Sequence, residues 1–362
     1  MVLLVIVVGA TGTYVATRPV ATTTTTTTTT TSVPVTTTTT VPANPTFTLS
    51  AVGDTDLGST PQLPADPVAY FSPVRAALAA DIEFANLEGT MTSATTSKCA
   101  PHASECYAFK VPTSFAQAYR RVGFNVLNSA NNHSYDFLAR GQSDTTTALR
   151  AAGIVQAGLP GQIGLISAHG VRVAFVDFAP YYLTNNLVVP SQESDLIAQA
   201  RREAQVVVVY MHAGAEGTTA DHVTRATETY YGENRGDPYA FAHRAIDLGA
   251  DLVIASGPHV VRGMEWYRGH LIAYSLGDFT NYDAFATVGD LAMSAILHVT
   301  MTSRGVIRAA SVTPIILHPG GQAFVDPTHA VWGFMNQLST ADFATHAALI
   351  DARGRLAIPA GA

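Results

Sequence analysis

Residues 205–212 read QVVVVYMH, and this segment is the strongest indication of the fold class. Its run of valines is so uniformly β-branched that it predicts a central strand covered on both faces. The strand ends at His212, a residue type that binds metal ions. Ligands of open α/β sheets gather just beyond the carboxyl ends of the strands, so His212 falls at a candidate site.

Further apolar runs end in the same way on residues that can bind a metal. These runs are FTLSAVG (47–53) before Asp54, DIEFANL (81–87) before Glu88, FNVLNSAN (124–131) before Asn132 and His133, and DLVIASGP (251–258) before His259. Carboxylate, amide oxygen and imidazole together suit a divalent ion such as Mn, Fe, Zn or Mg. Each residue alone has an ordinary structural explanation, but the repeated placement predicts one shared site holding one or two ions.

Strand-like and helix-like segments alternate from residue 47 onward and then give way to hairpins. Helices are predicted over residues 73–80, 114–123, 138–153, 194–204 and 237–249, with Ser194 or Asp195 opening the fourth. Hairpins are predicted around residues 268–269 and 303–305. The region after Pro319 is weakly patterned and is assigned to the edge of the same domain. This order predicts a mixed α/β sandwich, with one sheet partly parallel and the other antiparallel.

The first residues have a character of their own. Residues 1–16 are apolar and uncharged, which indicates a membrane anchor or signal segment. Residues 17–46 contain threonine runs and prolines, a composition typical of an extended stalk. We therefore expect residues 47–362 to form the folded domain. Its expected place is the cell envelope, outside the cytoplasm, either secreted or membrane-anchored through the N-terminus.

Cys99 and Cys106 are the two cysteines of the chain. In an exported protein, a local disulfide that closes a small loop is favoured over two free thiols. A zinc site that adds His102 is a weaker alternative, because the spacing fits no common pattern.

The net charge is −7, and 13% of the residues are charged. Nucleic-acid binding requires a clustered basic face, so the composition argues against a nucleic-acid partner. The same acidic balance argues against a polybasic contact with a membrane surface.

Polar residues around the predicted ligands have candidate supporting roles. His133 is placed to give a proton to a leaving group or to stabilise negative charge, and Asp136 to orient an imidazole or cap the next helix. Other residues are expected to support the ligands through hydrogen bonds; they are Asn86, Asn131, Glu216 and Asp278. Asp278 alternatively caps a turn, and Asp56 is expected to be a solvated loop acid.

The blocks GDTDL, ANLEGT, SANNHSYDFLARG, HAGAE and SGPHVVRGMEWYRGHLIAYSLGDF, in this order, resemble the capsule-synthesis CapA family. That family is associated with poly-γ-glutamate capsule production and belongs to the calcineurin-like metallophosphatase superfamily. The resemblance implies a four-layer αββα sandwich with mixed sheets. It also implies that His133 is catalytic, that Glu88 bridges the ions, and that the metal ligands are Asp54, Glu88, Asn132, His212 and His259.

The chain departs from this family at two positions. Gly257 stands where the family often has a histidine, and Asp278 stands where it usually has an asparagine.

From the resemblance as a whole we expect a metal-dependent hydrolase of the phosphoesterase type that acts in the synthesis of capsule or another envelope polymer. The alternative is a non-catalytic module that binds the anionic polymer or supports its membrane synthase.

Overall fold

The computed structural model describes residues 44–100 and 106–359. Its strands are β1 (Thr46–Asp56), β2 (Ile82–Leu87), β3 (Thr90–Met91), β4 (Lys110–Val111), β5 (Val126–Asn128), β6 (Val155–Ala157), β7 (Gly164–Ala168), β8 (Val171–Phe178), β9 (Val206–His212), β10 (Thr229–Tyr230), β11 (Glu233–Asn234), β12 (Leu252–Ser256), β13 (Met264–Tyr267), β14 (His270–Ala273), β15 (Asp278–Asn281), β16 (Met293–Thr302), β17 (Ile307–His318) and β18 (Gln322–Val325). The helices are α1 (Pro67–Tyr70), α2 (Arg75–Leu78), α3 (Phe115–Val122), α4 (Leu138–Ala152), α5 (Pro190–Glu203), α6 (Pro238–Asp247) and α7 (Ala330–Phe343), with 3-10 helices at Gly289–Ala292 and Ala344–His346.

Two large sheets form the centre of the described structure. The larger has the order β18-β17-β16-β1-β2-β5-β6, and β15 also pairs with β1; the smaller has the order β13-β14-β12-β9-β8-β7. In the larger sheet β1, β2, β5 and β6 run parallel, and β16 to β18 are antiparallel. The smaller sheet is also mixed, because β8, β9, β12 and β14 run parallel while β7 and β13 pair antiparallel with β8 and β14. The expectation that one sheet is antiparallel throughout is therefore wrong.

The two sheets pack face to face, and helices cover their outer faces. Phe84 of β2 stacks on Phe175 of β8 with ring centroids 5.3 Å apart, in the core between the sheets. Helices α1 to α4 cover the larger sheet, whereas α5 and α6 cover the smaller. The predicted four-layer αββα sandwich is confirmed.

Strand β9 lies between β12 and β8 and is buried along its whole length. Val208 and Tyr210 face the core between the sheets, and Val207 and Val209 face the helices. The prediction of a central strand covered on both faces is confirmed. The hairpins also form where the turn residues indicated, as β13–β14 and β16–β17.

Several helix boundaries differ from the prediction. The segment 73–80 contributes only the short helix α2. Helix α5 begins at Pro190 rather than near Ser194, because proline fixes a helical φ and is favoured in the first turn. The weakly patterned region after Pro319 contains β18, at the edge of the larger sheet, and a helix that was missed, α7.

The predicted anchor at 1–16 and all but the last three positions of the predicted stalk lie outside the described residues. Thr46, the last residue of that predicted stalk, already belongs to β1. Within 44–100 and 106–359, no helix combines the length and the apolar character that a membrane span requires.

Candidate metal centre

The carboxyl ends of parallel strands from both sheets meet at one place. Asp54 lies inside β1, Glu88 follows β2 directly, and His212 is the last residue of β9. Ligand atoms of these three residues all lie within 4.8 Å of one another. The Nδ1 atom of His212 is 3.7 Å from Asp54 Oδ1 and 3.7 Å from Glu88 Oε2. Topology thus converts three distant sequence positions into one buried cluster, which we call the Glu88 group.

Asp54 also belongs to a second set of close ligand atoms, with His259 and Asp278. His259 Nδ1 is 2.8 Å from Asp278 Oδ1 and 3.6 Å from Asp54 Oδ2. Asp54 is therefore shared between this set and the Glu88 group. Asp278 is not a turn cap here, because it lies in β15 beside Asp54 in the parallel pairing with β1.

Asn86 holds the two carboxylates of the Glu88 group in place. Its Nδ2 donates to Asp54 Oδ1 at 2.7 Å and to Glu88 Oε2. Its Oδ1 accepts from Asn128 Nδ2 at 2.6 Å and Asn131 Nδ2 at 2.8 Å. The amide therefore cannot rotate without breaking several buried hydrogen bonds, and this fixes the separation of the carboxylates.

The donor set fits a divalent cation. Glu88 Oε1 and His212 Nε2 are buried and find no hydrogen-bond partner among the residues that the structure describes, which is costly unless a ligand satisfies them. Burial raises the pKa of Glu88 well above its usual value, and the nearby charge of Asp54 raises it further. Burial lowers the pKa of His212, so its imidazole is neutral and can ligate. Clustered carboxylates and a neutral imidazole are the groups that such an ion stabilises.

Asn132, the third predicted ligand along the chain, follows β5 and lies in the loop that begins at Ser129. Its Oδ1 is buried and has no hydrogen-bond partner within residues 44–100 and 106–359, while its main-chain oxygen accepts from Lys98 Nζ at 3.0 Å. The amide oxygen Oδ1 is thus available to a ligand as far as the described residues are concerned. Ligation by Asn132 stays a prediction.

His133 lies beside the Glu88 group and is paired with Asp136. Its Nδ1 is 2.8 Å from Asp136 Oδ2, and its Nε2 is 3.9 Å from Glu88 Oε1. A carboxylate only accepts, so Nδ1 carries a proton and Nε2 faces the cluster. Burial lowers the pKa of His133, against the opposing effect of Asp136. Asp136 does not cap α4, which begins after Phe137 without a side-chain cap.

Glu216 approaches His259 from the other side, with Glu216 Oε2 3.7 Å from His259 Nε2. It is held by Arg235, whose Nη1 lies 2.9 Å from Glu216 Oε1. Arg235 is 1% exposed and also donates to the main-chain oxygens of Gly214 and Gly257 at 2.8 and 3.0 Å. It thereby ties together the loops that follow β9 and β12. No pattern in the sequence singled out this arginine.

Asp56 is buried, with 2% exposure, and the expectation of a solvated loop acid is wrong. The reason is that β1 continues through Asp56 instead of ending before Asp54. Its Oδ1 accepts from the Gly58 amide at 2.7 Å, and burial raises its pKa well above the usual value.

Cys99 and Cys106 form a disulfide, as the sequence predicted. The bond excludes two free thiols, and it excludes a zinc site formed by their thiolates. The segments on either side of the disulfide contact the His133–Asp136 pair, because Lys98 and Phe109 both contact Asp136.

A four-layer α/β sandwich with a buried carboxylate and imidazole cluster at its strand ends defines a class of proteins suited to divalent metal chemistry. The chain matches the model of the family described as "Bacterial capsule synthesis protein PGA_cap" over residues 48–283. This chain belongs to that family, and the resemblance that its motifs indicated is confirmed.

Named relatives are consistent with this membership. The chain is 27% identical over 188 residues to "Capsule biosynthesis protein CapA" of Bacillus anthracis, covering 49% of this chain and 45% of that protein. It is 30% identical over 215 residues to "PGA biosynthesis protein CapA" of Bacillus subtilis (strain 168), covering 54% and 52%. The chain thus spans about half the length of these curated relatives.

Among solved structures, a similar one is that of a 5'-nucleotidase precursor from Thermus thermophilus. The sequence identity is 13% and the TM-score is 0.37, over 79% of this chain and 55% of that chain. We infer nothing about activity from a likeness at this level.

Proposed function

We propose that this protein is an exported, metal-dependent hydrolase that acts on a phosphoester or a related acyl linkage during synthesis of capsule or another envelope polymer. The observation that carries the proposal is the Glu88 group with His133 beside it. Three ligand side chains from separate strands lie within 4.8 Å of one another, and a histidine nitrogen faces them.

Asp54, Glu88 and His212 would hold one ion, and His259 with Asp278 extends the set toward a second position. Asn132 would add its uncommitted amide oxygen. A bound Mn, Fe, Zn or Mg ion would supply an activated water and a counter-charge for the electrophile. The residues themselves contribute preorganisation, because Asn131 holds Asn86, and Asn86 fixes the carboxylates before any ligand arrives.

His133 would handle the proton of the reaction. Its Nδ1 proton is engaged by Asp136, so its Nε2 is the atom that exchanges a proton with the substrate. The neutral imidazole would accept a proton from the attacking water at Nε2 and give it to the leaving-group oxygen. Because the Asp136 carboxylate is buried beside the ring, it also stabilises the imidazolium that forms in between.

We further propose that the protein works outside the cytoplasm, tethered or released through its N-terminus. The Cys99–Cys106 disulfide supports an oxidising compartment. The partners in this proposal are an anionic capsule or envelope polymer and its membrane synthase. Support for them comes from family membership and from the names of the relatives.

The test is metal analysis of the purified chain together with turnover of generic phosphodiesters. We expect stoichiometric divalent metal and a His133→Asn variant that retains the metal but loses about 10²–10⁴-fold in kcat. A matched control is His169→Asn, because His169 pairs with Asp81 just before β2 begins, at the opposite end of that strand from Glu88. An equal loss in both variants, or full activity in His133→Asn, refutes the assigned role.

One observation favours the non-catalytic alternative. Gly257 provides no imidazole where the family often has one, and its amide donates to Asp54 Oδ2 at 3.1 Å. If the protein binds metal but turns over no member of a phosphodiester and acyl-ester panel, a polymer-binding or synthase-supporting module replaces the hydrolase.

A further inference from the structure

The chain on either side of the Cys99–Cys106 disulfide closes on a single carboxylate. Lys98, just before the disulfide, places Nζ 2.6 Å from Asp136 Oδ1. Phe109, shortly after it, donates its amide to Asp136 Oδ2 at 2.7 Å. Asp136 is fully buried, so these two contacts and His133 determine where its oxygens point.

Lys98 contacts the turn that carries His133 at more than its side-chain ion pair. Its amide donates to the Asp136 main-chain oxygen at 2.7 Å, and its Nζ donates to the Asn132 main-chain oxygen at 3.0 Å. The contacts therefore fall on both sides of His133 in the chain. A lysine side chain loses rotamer entropy when it is held in one pose, and the anchored backbone of Lys98 reduces the freedom that must be lost.

Phe109 restrains the imidazole itself. Its ring centroid lies 4.5 Å from that of His133, and the ring is 8% exposed. The same ring meets Phe285 at 5.7 Å, and Phe285 stacks on His259 at 4.6 Å. His133 is thus held at Nδ1 by Asp136 and on its ring by Phe109, which leaves Nε2 as the free atom facing Glu88.

We propose that Lys98 is a positioning residue for the His133–Asp136 pair, and that the Cys99–Cys106 disulfide holds Lys98 and Phe109 together on the Asp136 carboxylate. The same two segments also pair as β3 and β4 and through Lys110 Nζ and the Ala94 main-chain oxygen, so the disulfide adds a covalent link next to Lys98. The catalytic meaning of this arrangement rests on the proposed function, whereas the arrangement itself can be tested without turnover.

The test follows the Nδ1–H signal of His133 by NMR of the full chain with ¹⁵N-labelled histidine, assigned with His133→Asn. The variants are Lys98→Met, Lys98→Arg and the double variant Cys99→Ser/Cys106→Ser. Lys110→Met is the matched control, since Lys110 Nζ donates to the Ala94 main-chain oxygen at 2.6 Å. We expect a hydrogen-bonded signal in the wild type, a shifted or lost signal in Lys98→Met and the double variant, and recovery in Lys98→Arg.

Where turnover is measurable, Lys98→Met should lower kcat by about 10- to 100-fold with KM and metal content unchanged. Lys98→Arg should recover most of that loss, and Lys110→Met should match the wild type. If the wild type shows no turnover, the proposed function is refuted. The His133 NMR signal still tests whether Lys98 positions the His133–Asp136 pair.

An unchanged His133 signal in both Lys98→Met and the cysteine double variant overturns the proposal. A wild type without a hydrogen-bonded Nδ1–H signal from His133 also overturns the proposal. If Lys98→Met fails to fold, the double variant and the wild type reduced with dithiothreitol decide in its place. Thermal unfolding of each variant shows which of them are folded.

Discussion

Replacing Glu88 by glutamine should change the stability of the protein in opposite directions with and without metal. Glu88 is 2% exposed, and its ligand oxygen lies within 4.8 Å of that of Asp54. Two unit charges at this distance repel by about 3–4 kcal/mol at an effective dielectric constant of about 20. Because the pKa values of Glu88 and Asp54 are raised, the pair stays partly protonated, and this removes part of the repulsion. The ion-free Glu88→Gln variant should therefore be about 1–2 kcal/mol more stable than the wild type.

With an ion bound, the wild type should be more stable than the Glu88→Gln variant. A ligand present at about 100 times its Kd stabilises the folded state by about 2.7 kcal/mol. For a domain of this size that corresponds to roughly 5 °C in the unfolding midpoint. Glutamine offers a neutral oxygen in place of a charged one, so ion binding should stabilise the variant much less than the wild type.

The assay is thermal unfolding in EDTA and then in a titration of Mn, Zn or Mg, with calorimetric measurement of Kd. Glu83→Gln is the matched control, because Glu83 is a buried carboxylate of the same strand β2 but lies toward its other end. It should leave the metal-dependent gain intact. The reasoning is refuted if Glu88→Gln is equally destabilising in both conditions, as for a purely structural hydrogen-bond network. It is also refuted if no ion stabilises the wild type.

Four further outcomes follow from other features of the structure. Arg262 is fully buried and is paired with Glu228 at 2.7 and 3.1 Å, so Arg262→Met should cost about 3–5 kcal/mol in urea unfolding by leaving the buried carboxylate without its cation. A Cβ on Gly53 would lie 1.8 Å from the Gly277 main-chain oxygen, so Gly53→Ala should displace β1 from β15 and abolish ion binding in calorimetry. Gly333→Ala, in α7 with open space around it, should fold normally and gain up to about 1 kcal/mol. Burial raises the pKa of Asp54 from 3.8 to about 6, so the ion-free protein should lose stability as pH rises through that window, relative to Asp54→Asn, while metal affinity increases.

The sequence predicted the strands well because their side chains carry the signal locally. The β-branched run of β9 is accommodated between two covering layers. Arg268-Gly269 lies between two apolar runs and marks the turn of the hairpin that they form. Helix α7 was missed because its segment AVWGFMNQLSTADF mixes glycine and hydroxyl residues with apolar ones and shows little amphipathic pattern. It becomes a helix because Val331 and Met335 pack into the core between the sheets.

The candidate site was predictable as a set of donors but not as a set of contacts. Placement at strand ends singled out Asp54, Glu88 and His212, since the topology of open sheets brings such ends together. Lys98 and Arg235 gave no such signal, because their roles come from pairings with residues 38 and 19 positions away in the chain. Asp56 was misjudged because the end of β1 depends on its pairing with β15.

Asp54 explains why fold and site depend on each other. It belongs to the larger sheet, yet its carboxylate accepts from Ser256 Oγ and from the Gly257 amide at the carboxyl end of β12 in the smaller sheet. The same carboxylate is the member common to both close sets of ligand atoms. A shift of one sheet against the other would therefore break the inter-sheet hydrogen bonds and separate the ligands together. Because the cluster exists only when the sheets are docked, an ion bound there stabilises the packing of the two sheets as well as the local loops.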